Sequence, residues 1–394
     1  MSLRSWLAVL VVCISAAACA CDRTARSVTL PPREAPSWAG CVLRAVPLPD
    51  PRPGLHSQFQ AVSAPTAAAA WAVGNAYSGY ENSPSVPVVE RWDGTHWQVV
   101  RGAAPADAFL TDVSALAADS VWVVGGYRNR AFVSHWDGHT WRRDRMPTVA
   151  RFSHLNAVAA ISPRDVWAVG GISTGRRGAT LVVHWDGTRW RRVPSPSPPP
   201  SPLISHAYAT LESVDAISAT DIWAVGESAN VAPVDQSSTL IEHWDGSRWQ
   251  VTPSPSVPNR AGKRFDMLFS VDARATDDVW AAGVWNDRWS GYGGLGDHAL
   301  VLHWHGQRWR TASLPHIRGR HILYDIHADR RGVIAVGDRG QPYRTLAARR
   351  GGDNWHVDPA APGSLSDLAS APDSRLWAVG QRDQQALAMT CLPQ

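Results

Sequence analysis

An all-β fold is predicted: a seven-bladed β-propeller with four-stranded blades, its ring closed by the N-terminal strand completing the last blade. Three observations predict it. An internal repeat occurs in seven copies, the composition suits short strands joined by turns, and the two chain ends complement one another.

The repeat emerges when the segments around Trp71, Trp122, Trp167, Trp223, Trp280, Ile334 and Trp377 are superposed, at spacings of 43 to 57 residues. Periods of this size suit a four-stranded blade, with loops of varied length inserted into a fixed scaffold. The chain has 394 residues, 44% of them hydrophobic and 18% charged, which is ample for a large packed body. It carries 21 Trp, 31 Gly and 29 Pro, a mixture that favours strands and turns over long helices.

Each copy opens with a Leu-x-x-aliphatic signature, strand A: Leu110 and Val113, Leu155 and Val158, Leu211 and Val214, Leu268 and Val271, Leu323 and Ile326, Leu365 and Leu368, with Phe59 and Val62 first. A short turn follows, often with Asp two places before the Trp, as at Asp165, Asp221 and Asp278. Strand B is a nearly continuous apolar run such as Val166-Trp167-Ala168-Val169-Gly170, expected to be buried on both faces between stacked blades. Strand C ends in Trp-Asp-Gly and returns through a second Trp into strand D: Trp92 to Trp97, Trp136 to Trp141, Trp185 to Trp190 and Trp244 to Trp249. Asp-Gly between apolar strands predicts a type I′ hairpin, whose two central residues both need positive φ. His305-Gly306 and Gly351-Gly352 hold that place in the fifth and sixth copies.

These residues resemble the kelch and galactose-oxidase type of propeller repeat, in which an apolar strand ends in Gly-Gly and leads to an aromatic-Asp turn and a Trp. Gly125-Gly126 and Gly170-Gly171 match it, whereas the other copies keep one glycine. The likeness implies a fold and no activity. The tyrosine-rich copper site of galactose oxidase has no counterpart here.

The seventh copy has strands A and B, then Ala386 to Cys391, and stops where its hairpin turn belongs. The missing strand D stands at the other end: Leu43-Arg44-Ala45-Val46-Pro47 parallels Trp190-Arg191-Arg192-Val193-Pro194. This alignment places Cys41 and Cys391 close to cross-strand partners, near enough for a disulfide. Bridging them removes about 5 kcal/mol of unfolded-state chain entropy.

Residues 1–20 read as a signal peptide, with Arg4 before an apolar run from Trp6 to Ala18 that is too short for a mature membrane span. The stretch resembles a bacterial lipoprotein signal, with Cys21 the lipidation site and Cys19 the alternative. Cleavage before Cys21 leaves three cysteines, one to acylate and two to pair, whereas cleavage before Cys19 leaves an odd thiol. Residues 21–37, with Pro31, Pro32 and Pro36, read as a tether, and residues 38–394 as the propeller. The expected location is the outer face of the cell membrane, or the medium if the chain is released.

Net charge is +4, carried by scattered arginines since Lys263 is the single lysine, which argues against nucleic acid as a partner. The membrane is expected to be met only through the lipid anchor, and the protein to be a monomer. The B–C and D–A connections read as long and emerge on one face, where function is expected. Candidate binding residues there are Trp285, Arg288, Trp289 and Tyr292 in the fifth copy, Tyr77 and Tyr80 in the first, and Tyr208 in the fourth. Exposed aromatics beside amides and Arg suit stacking on a sugar or peptide.

No catalytic constellation is assigned. Gly171-Ile172-Ser173-Thr174-Gly175 fits Gly-x-Ser-x-Gly, but between strands it lacks the strand-to-helix elbow that motif needs. His135, His184, His243 and His303 recur at equivalent places on different blades and so cannot converge on one metal ion. His303 and His305 share a strand face with His298 nearby, the weak candidates for a metal, and Asp112, Asp325 and Asp367 recur in strand A, where a channel would have a polar or Ca²⁺-holding lining. A paired-carboxylate glycosidase site would have to draw on the six glutamates Glu34, Glu81, Glu90, Glu212, Glu227 and Glu242, and no pattern among them supports one. No cofactor is implied. The favoured reading is a binding or scaffold module for an extracellular glycan, peptide or protein; the alternatives are a carbohydrate-active enzyme and a purely structural envelope protein.

Overall fold

The computed structural model describes residues 38–392 except 50–51, 80–84, 150–151, 174–176, 198–207, 230–236, 256–264, 287–295 and 353. The signal segment, the tether with Cys19 and Cys21, and the candidates Tyr80, Arg288, Trp289 and Tyr292 lie outside the described residues.

Seven antiparallel sheets of four strands form the ring, each running A-B-C-D from the axis outward. The A strands are His56–Thr66, Ala108–Ala117, Phe152–Ser162, Tyr208–Ser218, Asp266–Ala275, His321–Asp329 and Ser364–Ser370. The B strands are buried almost throughout, as in Ser120–Tyr127. Their two faces feed two different interblade cores: Ile222 and Ala224 pack with Trp167 and Val169 of blade 3, while Trp223 and Val225 pack with Leu268 and Leu300 of blade 5. A continuous apolar run is what such a strand needs.

The ends close as the alignment requires. Arg44–Val46 pairs with Gln385–Cys391 in the register Arg44↔Thr390, Ala45↔Met389, Val46↔Ala388, so the first strand is strand D of blade 7. Cys41 and Cys391 form a disulfide with Cα atoms 5.5 Å apart. Just before it, Trp38 is fully buried and its indole donates to Asp329 at 2.9 Å. The buried Arg349 guanidinium donates to the carbonyls of Trp38 (2.8 Å) and Cys41 and pairs with Asp358 at 2.5 Å.

Two turn expectations are corrected. In the Asp-Gly turns positive φ falls on the glycine alone, as at Gly94 (φ 101°) and Gly187 (φ 87°). The Asp instead caps the turn: Asp93 Oδ1 accepts from the N–H groups of Thr95 and His96, both at 2.8 Å. True two-residue turns with both φ positive occur at Arg128-Asn129 and Asp383-Gln384. They join strands B and C in blades 2 and 7, where long loops are expected from the general pattern.

The repeated strand-A signature has a structural cause that the sequence pattern conceals. Every A strand carries a β-bulge immediately after its Leu or Phe, between Leu110 and Asp112 and at the six equivalent places. The strand-B glycine sits opposite, where an added Cβ on Gly170 would lie 2.3 Å from the His154 carbonyl oxygen. Only glycine admits that approach. The bulge inserts Gln60, Thr111, Asn156, Glu212, Phe269, Tyr324 or Ser366 into the strand.

Asp112, Asp325 and Asp367 join blades. Asp112 Oδ2 accepts from Val158 N–H (2.7 Å) on the next blade, Asp325 Oδ2 from Leu368 N–H (2.8 Å), and Asp367 Oδ2 from Val62 N–H (2.6 Å). Asp215 does the same to Ala273 at 2.7 Å. These carboxyls are committed to backbone donors, and among the described residues no group of three His, Cys, Asp or Glu is arranged to hold a metal. Burial pushes the Asp112 carboxyl up to about 7 and raises Asp215, Asp325 and Asp367.

Glu242, fully buried in strand C of blade 4 (Ser238–Trp244), is pushed up to about 8 by burial. It accepts from Ser195 Oγ of blade 3 at 2.8 Å, while its Oε1 has no partner. All these carboxyls hold their proton more tightly folded than unfolded, so their contribution is complete below pH 4 and is lost as pH rises through 6 to 8. Between pH 5 and 8 the thermal midpoint is therefore expected to fall. Glu242→Gln, which keeps the Ser195 bond without the ionisation cost, is expected to flatten that decline and add about 2 kcal/mol at pH 8. Thermal melts of both proteins across the range check this; a wild-type midpoint that rises with pH contradicts it.

Candidate ligand-binding site

The recurrent histidines are structural, as their positions on separate blades require. His135, His184, His243 and His303 each stack on the strand-B Trp of their own blade, with centroids 3.7 to 4.3 Å apart. In blades 3, 4 and 5 one Asp ties the pair together: Asp165 accepts from the Trp167 indole at 3.0 Å and lies 2.7 Å from His184 Nε2. Asp221 and Asp278 do the same for Trp223 with His243 and Trp280 with His303. His305 lies against His303 with centroids 3.9 Å apart. His298 is elsewhere, against Trp285 and His321. Ser173 of the Gly-x-Ser-x-Gly match ends strand B of blade 3 (Asp165–Ser173), paired with Phe152 and Gly178, while Thr174 and Gly175 of the match lie outside the described residues.

The described candidate aromatics stand on three blades. Tyr77 ends strand B of blade 1 and meets His56 edge-on at 5.7 Å. Trp285 lies on His298 (4.7 Å) and packs partly into the core between blades 4 and 5. Tyr208 opens strand A of blade 4 and is 38% exposed. No pair among them shares a ring contact.

What the fold does bring together is a cavity of 330 Å³ lined by Gln58, Gln60, Phe269, Tyr324, Asp338, Tyr343, Ser364, Ser366 and Gln381. Four of these, Gln60, Phe269, Tyr324 and Ser366, are bulge residues of blades 1, 5, 6 and 7. Gln58 with Gln60, and Ser364 with Ser366, alternate along their strands, so each pair shares the face that lines the cavity. The cavity therefore opens on the channel at the end where the A strands begin.

Its polar floor is fixed from below. Asp338 is buried and accepts from Arg320 Nη1 (2.5 Å), Tyr324 OH (3.1 Å) and Ser364 Oγ (3.1 Å). Arg320, 3% exposed, also has Nε 3.8 Å from the buried Asp297 and its guanidinium 5.2 Å over the Tyr343 ring. Tyr343 itself is 47% exposed. Phe269 leans on Tyr324 with centroids 5.5 Å apart. Asp338 is taken up by Arg320, Tyr324 and Ser364, and the rest of the lining is aromatic faces, three glutamine amides and two serine hydroxyls.

Inspection of the repeat misses every one of these residues, because it looks for function in the loops. A signal was nevertheless present. The strand-B glycine marks the bulge opposite it, and the residue after the Leu is polar or aromatic in all seven copies.

No family model matches the chain, and no curated protein sequence matches it. Solved structures do. YCF48 bound to D1 peptide is 15% identical, with 89% of this chain and 97% of that chain covered and a TM-score of 0.53. A PL25 ulvan lyase bound to a glucuronate–rhamnose-sulfate ligand is 9% identical, covering 89% and 96%, with a TM-score of 0.57. A GH74 xyloglucanase from Xanthomonas campestris is 14% identical and scores 0.56 over 88% of this chain and 53% of that one. At such identities what these proteins share with the chain is the β-propeller fold.

Proposed function

We propose that the protein is an exported binding module that recognises a glycan at the channel mouth. The observation that carries this reading is the cavity that Tyr343 lines together with glutamine amides and serine hydroxyls. An exposed aromatic face suits the C–H face of a sugar ring, and amides and hydroxyls suit its hydroxyl groups. A cavity of 330 Å³ is at the small end of the ~300–1,000 Å³ range of ligand sites, fitting one or two sugar units rather than a protein domain. Structural neighbours that hold a polysaccharide fragment or a peptide in the same fold support a binding role. Export, with anchoring through Cys21, is supported by the apolar leader and by the Cys41–Cys391 disulfide, which suits an oxidising compartment.

The test is a screen of the soluble domain against neutral polysaccharide fragments, reading retention and released products together, followed by calorimetry on any hit. Tyr343→Ala is expected to weaken binding at least 10-fold with the melting temperature unchanged, because the ring is exposed. Trp285→Ala, whose ring is half-buried on His298, is expected to cost stability rather than affinity. Retention that survives Tyr343→Ala contradicts the placement of the site, and turnover contradicts the reading as a binding module.

A further inference from the structure

A second constellation stands at the same end of the ring, on blade 4. Strand A (Tyr208–Ser218) places Tyr208, Thr210 and Glu212 in succession, and Glu227 of strand B (Asp221–Ala229) lies directly across from Thr210. Alternate residues of one strand and the residue opposite share a face. The contacts agree: Glu227 is hydrogen-bonded to Tyr208 and Ser237, Glu212 to Thr210, and the two carboxyls repel one another. Glu227 is 7% exposed, and its Oε2 has no hydrogen-bond partner. From blade 3, Asn156 Nδ2 donates to Thr210 Oγ (3.3 Å) and to the Leu211 carbonyl (2.9 Å), fixing this wall.

Two other carboxylates are paired with arginine: buried Asp338 with Arg320, and the part-exposed Asp358 with Arg349. Titratable groups described near the Glu212–Glu227 pair include Tyr208 on the same strand, His154 on strand A of blade 3, and Asp266 at the start of strand A of blade 5, whose carbonyl accepts from Ser237. Burial lowers the His154 imidazole below its ordinary value and pushes Glu212 up to about 7, with the Glu227 charge adding to it. None of these three groups brings a positive charge to the pair.

We infer that the Glu212–Glu227 pair, rimmed by Tyr208 and Thr210, is a subsite for a primary ammonium group, the ammonium of an amino sugar in the glycan bound at the mouth. The inference rests on the glycan reading above. An ammonium has three N–H donors, enough to serve Glu227 Oε2, Glu212 and the Thr210 hydroxyl together. Its charge favours the doubly ionised pair, so near pH 7 the proton held by the pair leaves to solvent as the cation docks. No covalent bond changes. An N-acetylated sugar presents no such charge and is not expected to gain from this subsite.

Calorimetry with a glucosamine tetramer and its fully N-acetylated counterpart, at pH 7 in buffers of different ionisation enthalpy, tests this on the disulfide-bonded domain. The free amine is expected to bind at least 10-fold tighter with net proton release. Glu227→Gln and Glu212→Gln, near-isosteric and checked by melting, are each expected to abolish both the preference and the release. Tyr343→Ala is expected to weaken both oligomers equally. Equal affinity for the two oligomers, no binding of either, or proton release that persists in both Gln variants overturns the subsite. Neutral glycans bound through Tyr343 would leave the main reading standing, so the two failures are distinguishable.

Discussion

Replacing Cys41 and Cys391 together by alanine is expected to lower the unfolding free energy by about 5 kcal/mol. The two residues are 350 apart in sequence, so the bridge closes nearly the whole propeller into one covalent loop. In the unfolded chain that loop removes more conformational freedom than any short bridge, while the folded ring needs only two Cα atoms 5.5 Å apart. Strand D of blade 7 is three residues long, so backbone pairing alone holds it weakly. Other contacts hold the N-terminal segment in the reduced protein: the Trp38 indole on Asp329 and Arg349 on the carbonyls of Trp38 and Cys41. The double variant is therefore expected to fold, with a lower urea midpoint, and reduction of the wild type is expected to reproduce it. A loss under 1 kcal/mol in both experiments contradicts closure by the disulfide.

Arg320→Met is expected to cost about 3–5 kcal/mol and to abolish glycan binding. Its guanidinium is the counter-charge of buried Asp338, lies near buried Asp297, and supports the exposed Tyr343 ring. Removing one partner of a buried pair strands the other charge without solvent, and here two carboxylates are affected. Tyr324 and Ser364, which donate to Asp338, lose their alignment at the same time. Arg320→Lys restores charge without the planar fork or the stacking face, so it is expected to recover part of the stability and little of the affinity. Denaturant titration and calorimetry on the two variants separate these terms. Full affinity in Arg320→Met contradicts the assignment of this cavity.

The repeat was legible because each blade is written in local chemistry. An apolar run buried on both faces, an Asp that caps a turn and a glycine that supplies its positive φ are properties of adjacent residues, and seven copies repeat them. Closure was legible for the same reason: Leu43-Arg44-Ala45-Val46 is recognisably a strand D, and its cysteine stands where a partner is available. The turn type was misjudged because Asp93 satisfies the backbone through its side chain instead of adopting positive φ itself.

The site was another matter. Tyr77, Tyr208 and Trp285 stand on blades 1, 4 and 5, as their copies of the repeat require, and Trp285 is partly buried against His298 and the core. Asp112, Asp325 and Asp367 were conspicuous by their recurrence, but it is backbone amides of neighbouring blades that occupy them.

The sequence by itself determined the number of blades, the order of strands within each, and the covalent closure of the ring, since all three follow from short-range patterns repeated along the chain. Only the tertiary structure decided which side chains face the axis. A bulge breaks the two-residue alternation of every inner strand, and ring closure then sets Gln60 beside Phe269, Tyr324 and Ser366, residues separated by up to about 300 positions, around one cavity.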